Sequence, residues 1–185
     1  AAGGLLANDD GGSGNATVIS DNLTLDYNAS DPNAVTGGAA PFTWTPNSGN
    51  TGDDFVFNAN VTYDAVTGDR AGITNAFTLT NGGATNRGIN DLAGDPSDAT
   101  ATFEFWLKPD AGTDRDRIYE TGGGGDGMAL FWNGTTNNID WIVDDGSVRQ
   151  TISGGSGVVD LSQFNHVVLV YSKNETGTTD RMELY

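Results

Sequence analysis

Carboxylates dominate the chemistry open to this chain: 21 Asp and 4 Glu stand against 8 Lys and Arg, a formal charge of −17 over 185 residues. Cleaving a glycosidic bond takes two carboxylates flanking it, about 5–5.5 Å apart for retention and wider for inversion. The richest run is Asp114-Arg115-Asp116-Arg117-Ile118-Tyr119-Glu120, while Glu104 alternates with aromatics and has no acidic partner two residues away. Both read as solvated strand-face charges. A serine triad would have to use the sole histidine, His166, and no Gly-x-Ser-x-Gly accompanies it. It reads instead as a structural histidine bonded to a loop backbone. The absence of cysteine removes disulfides and thiolate metal sites, and a single histidine removes multi-histidine ones. The Gly122–Gly125 tract lacks the Lys-Ser/Thr ending of a phosphate loop and reads as a strand connection. Two chemistries remain. Asp, Asn and loop carbonyls are the hard oxygen donors that Ca²⁺ takes, although Asn8-Asp9-Asp10-Gly11 lacks the later Glu of an EF-hand. Aromatic rings beside Asp or Asn suit a pyranose, and Trp106, Trp132 with Asn133, and Trp141 are the candidates.

The charge excludes other partners. A phosphate binder needs a basic face that this composition cannot assemble, and an anionic membrane surface would repel it. No apolar run approaches the roughly 18 residues of a membrane span; the longest strand-like stretch is Val167 to Tyr171. No basic region followed by an apolar one marks a signal peptide, and a start at Ala1-Ala2-Gly3-Gly4 without Met fits a processed or trimmed form. Low Lys with high Asp, Thr, Asn and Gly fits a secreted or cell-surface protein. Sequons at Asn15, Asn22, Asn28, Asn60, Asn133 and Asn174 number six, where composition alone gives roughly three.

Strands must position these residues. Gly, Asp, Asn and Thr are poor helix-interior residues, and no 3.6-residue pattern runs for three turns. Apolar residues recur instead at every second position. Phe55, Phe57, Ala59, Val61 and Tyr63 alternate over nine residues; Phe77 and Leu79 repeat the pattern briefly. Phe103, Phe105 and Leu107 alternate with Glu104 and Trp106 up to Pro109, so Trp106 shares the outward parity of Glu104 and Lys108. Met128 to Trp132 and Ile139, Trp141 and Val143 follow, then an Asp144-Asp145-Gly146 turn into Val148 to Ile152. Val167 to Tyr171 is apolar on both parities, as for a strand covered on both faces, and Met182 and Leu184 begin another. Ahead of these, Thr17 to Ile19 and Leu23 to Tyr27 are short strand candidates, and Trp44 is placed to anchor its segment to the rest. Many short strands joined by Gly, Asp and Asn turns predict an all-β, antiparallel two-sheet sandwich.

Four patches in order resemble the bacterial laminin-G-like, concanavalin A-like jelly-roll family. They are Ala101-Thr102-Phe103-Glu104-Phe105-Trp106-Leu107-Lys108-Pro109, Arg117 to Glu120 with Asp126 to Phe131, Phe164-Asn165-His166-Val167-Val168-Leu169-Val170-Tyr171, and Arg181 to Tyr185. The resemblance covers Thr100 to Tyr185 directly and residues 53–99 by pattern alone. It implies a jelly roll and one Ca²⁺ at the rim of the sandwich, with Asp126 and the pair Asp144 and Asp145 as candidate ligands and Asp53 with Asp54 as a second group. Some members of that superfamily are glucanases with an alternating Glu-x-Asp-x-(x)-Glu strand; here the run at 114–120 begins with Asp and has a different final spacing. The family continues for several strands past the pattern that ends at Tyr185. Residues 1–50 are accordingly expected to be an edge hairpin, arm or linker, and residues 51–185 a laminin-G-like sandwich incomplete at its C-terminal end, its missing strands coming from residues 1–50 or a neighbouring chain.

The leading expectation is a non-catalytic extracellular module for adhesion or carbohydrate recognition with structural calcium, whose partner is a glycan or an extracellular matrix or surface protein. The alternative is a structural subunit of a surface layer, fibre or sheath that self-associates by strand exchange. A concanavalin A-like glycoside hydrolase is the third reading, using Glu104 or Glu120.

Overall fold

The computed structural model describes residues 30, 35–36, 42–45, 54–57, 61–66, 70, 72–79, 88–89, 101–123, 126–145, 149–154, 159–173 and 180–185. Every strand pairing among them is antiparallel, and none of them is helical. The chain divides into two compact units, Ala1–Leu92 and Ala93–Tyr185. The strand candidates at 17–19 and 23–27 lie outside the described residues.

The first unit contains β1 (Val35–Thr36), β2 (Phe42–Trp44), β3 (Phe55–Phe57), β4 (Val61–Ala65), β5 (Asn75–Leu79) and β6 (Gly88–Ile89). One sheet runs β1-β2-β3-β6 and a hairpin pairs β4 with β5. Its core is aromatic. Phe42, Phe57 and Val61 are buried, with Val35, Trp44, Phe55, Tyr63 and Phe77 packed on them. Phe77 stacks on Phe57 at 4.2 Å and meets Trp44 at 5.1 Å, so a ring of the hairpin fills the face of the sheet. The nine-residue alternation from Phe55 to Tyr63 is therefore two strands in two sheets, not one. Phe57 and Val61, four positions apart, face the same cluster.

The second unit contains β7 (Ala101–Leu107), β8 (Arg115–Gly123), β9 (Asp126–Asn133), β10 (Asn138–Asp145), β11 (Arg149–Ser153), β12 (Asn165–Ser172) and β13 (Arg181–Leu184). Two sheets, β11-β10-β9-β8 and β13-β12-β7, enclose one core. Cross-strand rows fill it: Trp132 opposite Ile139, Leu130 opposite Trp141 and then Ile152, Met128 opposite Val143. The facing sheet supplies Phe105 opposite Val167, and Phe103 opposite Leu169 and then Leu184. The sheets meet where Trp141 abuts Tyr171 edge-on at 6.4 Å and where Tyr119 meets Phe103 and Phe105 at 6.0 and 5.6 Å. The buried Tyr171 hydroxyl needs a partner and donates to Asp180 at 2.8 Å; Gln150 on β11 donates to the same oxygen at 3.2 Å, tying the sheets at one edge. Val168 is buried on the opposite parity of β12, as its doubly apolar pattern predicts.

Candidate functional site

The structure separates the three candidate tryptophans. Trp132 is 2% exposed and Trp141 is 0% exposed. They share parity with Met128 and Leu130, and with Ile139 and Val143, so both rings fill the core rather than face a ligand. Their indole N–H groups have no hydrogen-bond partner, a desolvation cost that the apolar area of each ring must outweigh. Trp106 lies on the opposite parity from Phe103, Phe105 and Leu107, which pack on the core, and so stands on the outer face of the three-stranded sheet.

There Trp106 is the cross-strand partner of His166, and the two rings stack with centroids 4.5 Å apart and planes within 14°. The imidazole Nε2 is 3.5 Å from the Glu104 carboxylate, whose side chain is 53% exposed. The expected backbone anchor for His166 is thus replaced by an aromatic face and a carboxylate, because the β7–β12 register sets His166 opposite Trp106, one pleat from Glu104. The arrangement offers ring edges, a nitrogen and an exposed carboxylate on one sheet face, which is covered in part, since Val168 on the same parity is buried.

Asn133 belongs to the other sheet. It ends β9 on the outer parity and donates from Nδ2 to Asp140 at 3.3 Å. Asp140, only 9% exposed, also accepts from the Ser153 hydroxyl at 2.7 Å and lies 3.4 Å from the Arg115 guanidinium. Burying a carboxylate is costly unless donors surround it, and three do. Arg115 in turn lies over the Phe131 ring at 4.0 Å, with Arg117 over the same ring at 5.5 Å and paired to Glu120. Sequence reasoning missed this network. Asp140 sits between Ile139 and Trp141 and reads as an ordinary outward charge; only the pairing of β10 with both β9 and β11 places it opposite Phe131 and Ser153.

The turn after Asn133 is held against the loop between β7 and β8. Gly134 donates to the Asp114 carbonyl at 3.0 Å and Thr135 to the Thr113 carbonyl at 2.7 Å. A Cβ on Gly134 would lie 1.9 Å from the Gly112 carbonyl oxygen, so only glycine allows the approach. At the start of β8, just past that loop, burial raises the Asp116 pKa above the ordinary carboxylate value, helped by repulsion from Asp110 and Asp114.

The candidate metal ligands gather by backbone register at the other end of the sheet. Asp126 opens β9 and Asp145 closes β10 as direct Cα partners, and Asp144 stands opposite Gly127 on one side and Arg149 on the other. The side chains of Asp126 and Asp145, like Asp53, lie outside the described residues, and Asp54 immediately precedes β3. Among the described side chains no three acidic or imidazole groups converge as a metal cluster. The donor chemistry of Asp126, Asp144 and Asp145, all carboxylate oxygens, fits a hard divalent cation, with Asp126 and Asp145 on one strand parity and Asp144 on the other.

The two glutamates considered for hydrolysis stand on opposite sides of the sandwich. Glu104 is outward on β7 and bridged to His166, and Glu120 is on β8 in the other sheet, flanked by core-packed Tyr119 and paired with Arg117.

Residues 81–185, more than half of the chain, match Laminin_G_3, a family of the concanavalin A-like lectin/glucanases superfamily. The chain belongs to that family. The matched segment takes in β6, which pairs with β3 inside the first unit, and all of β7 to β13. No curated protein and no solved structure matches the chain.

Proposed function

We propose that this chain is a non-catalytic carbohydrate-recognition module of the adhesion type, acting at the cell surface or outside the cell, with a glycan or a glycan-bearing surface protein as partner. The observation that supports it is the Trp106 platform: an indole on the outer face of a sheet, stacked on His166 and flanked by an exposed Glu104. Trp106 is half-buried, so its indole forfeits part of the burial energy that Trp132 and Trp141 collect. The apolar C–H face of a pyranose would recover it, with Glu104 accepting from hydroxyls. A non-catalytic role fits the separation of Glu104 from Glu120 on opposite faces, since two carboxylates must flank one bond.

Calcium belongs to this reading as a structural ion. Asp126, Asp144 and Asp145 would hold it, and it would supply the positive charge that lets carboxylates at the start of β9 and the end of β10 sit side by side. The test is a glycan array probed with and without chelator, together with Trp106→Ala. Saturable binding lost in the folded variant supports the proposal; a flat array from folded protein in both conditions removes it. Millimolar Ca²⁺ should raise the unfolding temperature, by the equivalent of about 2.7 kcal/mol at a hundredfold excess over the dissociation constant. Indifference to Ca²⁺ would remove the metal.

A further inference from the structure

We infer that the outer face of the four-stranded sheet carries a separate binding site for a saccharide bearing a sparse oxyanion, a uronate carboxylate or a sulfate ester. Arg115 and Arg117 lie two residues apart on β8, opposite Asn133 and Phe131, so both guanidiniums come down on one phenyl ring. Arg149 stands on the same sheet opposite Asp144, so three of the eight basic residues of a −17 chain belong to this sheet. Two cations over one ring repel each other, and the fold spends buried structure to hold one of them there. Asp140, nearly buried and gripped by Ser153 and Asn133, fixes Arg115. Arg117 is set by Glu120 at the surface.

Each guanidinium has five N–H donors, and its carboxylate partner engages one nitrogen of each. The side chains remain 46% and 54% exposed. Both guanidiniums lie over one ring, so an oxyanion bridging them would meet their unused donors in the forked geometry that guanidinium favours. The face of Phe131 is already taken by guanidinium, so a neutral pyranose has no ring left to stack on. Charge, not stacking, therefore selects the ligand here. Asn133 and Ser153, at the next positions along and across the sheet, donate to Asp140 and keep their oxygen lone pairs as acceptors for sugar hydroxyls. The overall charge of the chain repels a densely anionic polymer, which leaves saccharides whose charge is isolated.

This site lies on the opposite sheet from Trp106 and does not depend on it. The test titrates the full chain, in chelator, with three probes: a xylo-oligosaccharide carrying one glucuronate branch, the same oligosaccharide without the branch, and a disaccharide carrying one sulfate. At least one charged probe should bind about tenfold or more tightly than the neutral one, whose binding is confined to the Trp106 face. Arg117→Gln should weaken binding roughly tenfold, as expected for losing one charge-assisted contact. Raising salt from about 0.01 to 0.15 M should weaken it further, and Trp106→Ala should leave it unchanged. Arg117 touches no buried carboxylate, so its variant folds even where Arg115→Gln does not. Which charged probe binds names the oxyanion. Equal binding of charged and neutral probes, no binding of either charged probe, or full binding by Arg117→Gln would overturn the proposal.

Discussion

Replacing Asp140 with Ala tests the energetic logic of the four-stranded sheet. The carboxylate receives the Ser153 hydroxyl at 2.7 Å and the Asn133 amide at 3.3 Å, and the Arg115 guanidinium lies 3.4 Å away. A hydrogen bond to a charged group contributes about 1.5–3 kcal/mol, but lost partners that can turn to water recover much of that. Ser153 and Arg115 are exposed and Asn133 is half-buried, so most of the recovery is open to them. The net cost should be about 2–3 kcal/mol, most of it from the 2.7 Å bond and from Arg115 losing its place over Phe131. For a chain of this size that corresponds to an unfolding temperature about 4–12 °C lower. Near-UV circular dichroism during urea unfolding reads the second unit through its buried Trp132, Trp141 and Tyr171. A double-mutant cycle with Arg115→Gln isolates the ion pair, whose coupling should fall below about 1 kcal/mol because Arg115 is half in solvent. If Asp140→Ala unfolds within about 0.5 kcal/mol of wild type, the carboxylate is not the anchor described here.

Trp141→Ala should cost about 3–5 kcal/mol, because its ring is wholly enclosed between Leu130, Ile152 and Tyr171, and a soluble variant of unchanged stability would contradict the two-sheet core. The Asp116 pKa is raised, so the folded state holds that proton more tightly and ionisation works against folding as pH rises; Asp116→Asn should therefore stabilise at neutral pH and lose its advantage in acid. Asp160 has the opposite sign. Hydrogen bonds from Ser162, from its hydroxyl and backbone N–H, and from Gln163 hold its pKa below the ordinary value, so its contribution is present at neutral pH and lost as pH falls through that depressed value. Asp160→Asn should be less stable than wild type at neutral pH and converge with it in acid, and parallel pH profiles would refute either assignment. Gly134→Ala should destabilise by about 1–3 kcal/mol, since the methyl group meets backbone that cannot swing away, and a neutral result would show that the Gly112 loop yields.

What could be read along the chain was whatever depends on parity. Alternation placed Phe103, Phe105 and Leu107 inward and Trp106 outward, and it carried the antiparallel, all-strand class. It failed where the period breaks. β8 carries charges on both parities, and a bulge between Arg117 and Tyr119 shifts its register, so no two-residue period marks it as a strand, although Ile118 and Tyr119 pack on the core. β2, at three residues, is too short to show a period, and yet Phe42 is buried at the heart of its cluster. Trp132 and Trp141 carried a parity that fits the core, but their residue type alone also fits a sugar site, and only packing decides between the two.

The sequence by itself determined which face of each regular strand is apolar, because that is a property of neighbours two residues apart, and it determined the net charge of −17. Tertiary structure alone decided which residues stand opposite each other: Trp106 with His166, Arg117 with Phe131, Asp126 with Asp145. Those pairings join residues that are 60, 14 and 19 positions apart in the chain. Register between strands is set by turns and bulges and by the packing of both sheets at once, so the chemistry of the outer faces exists only in the folded chain.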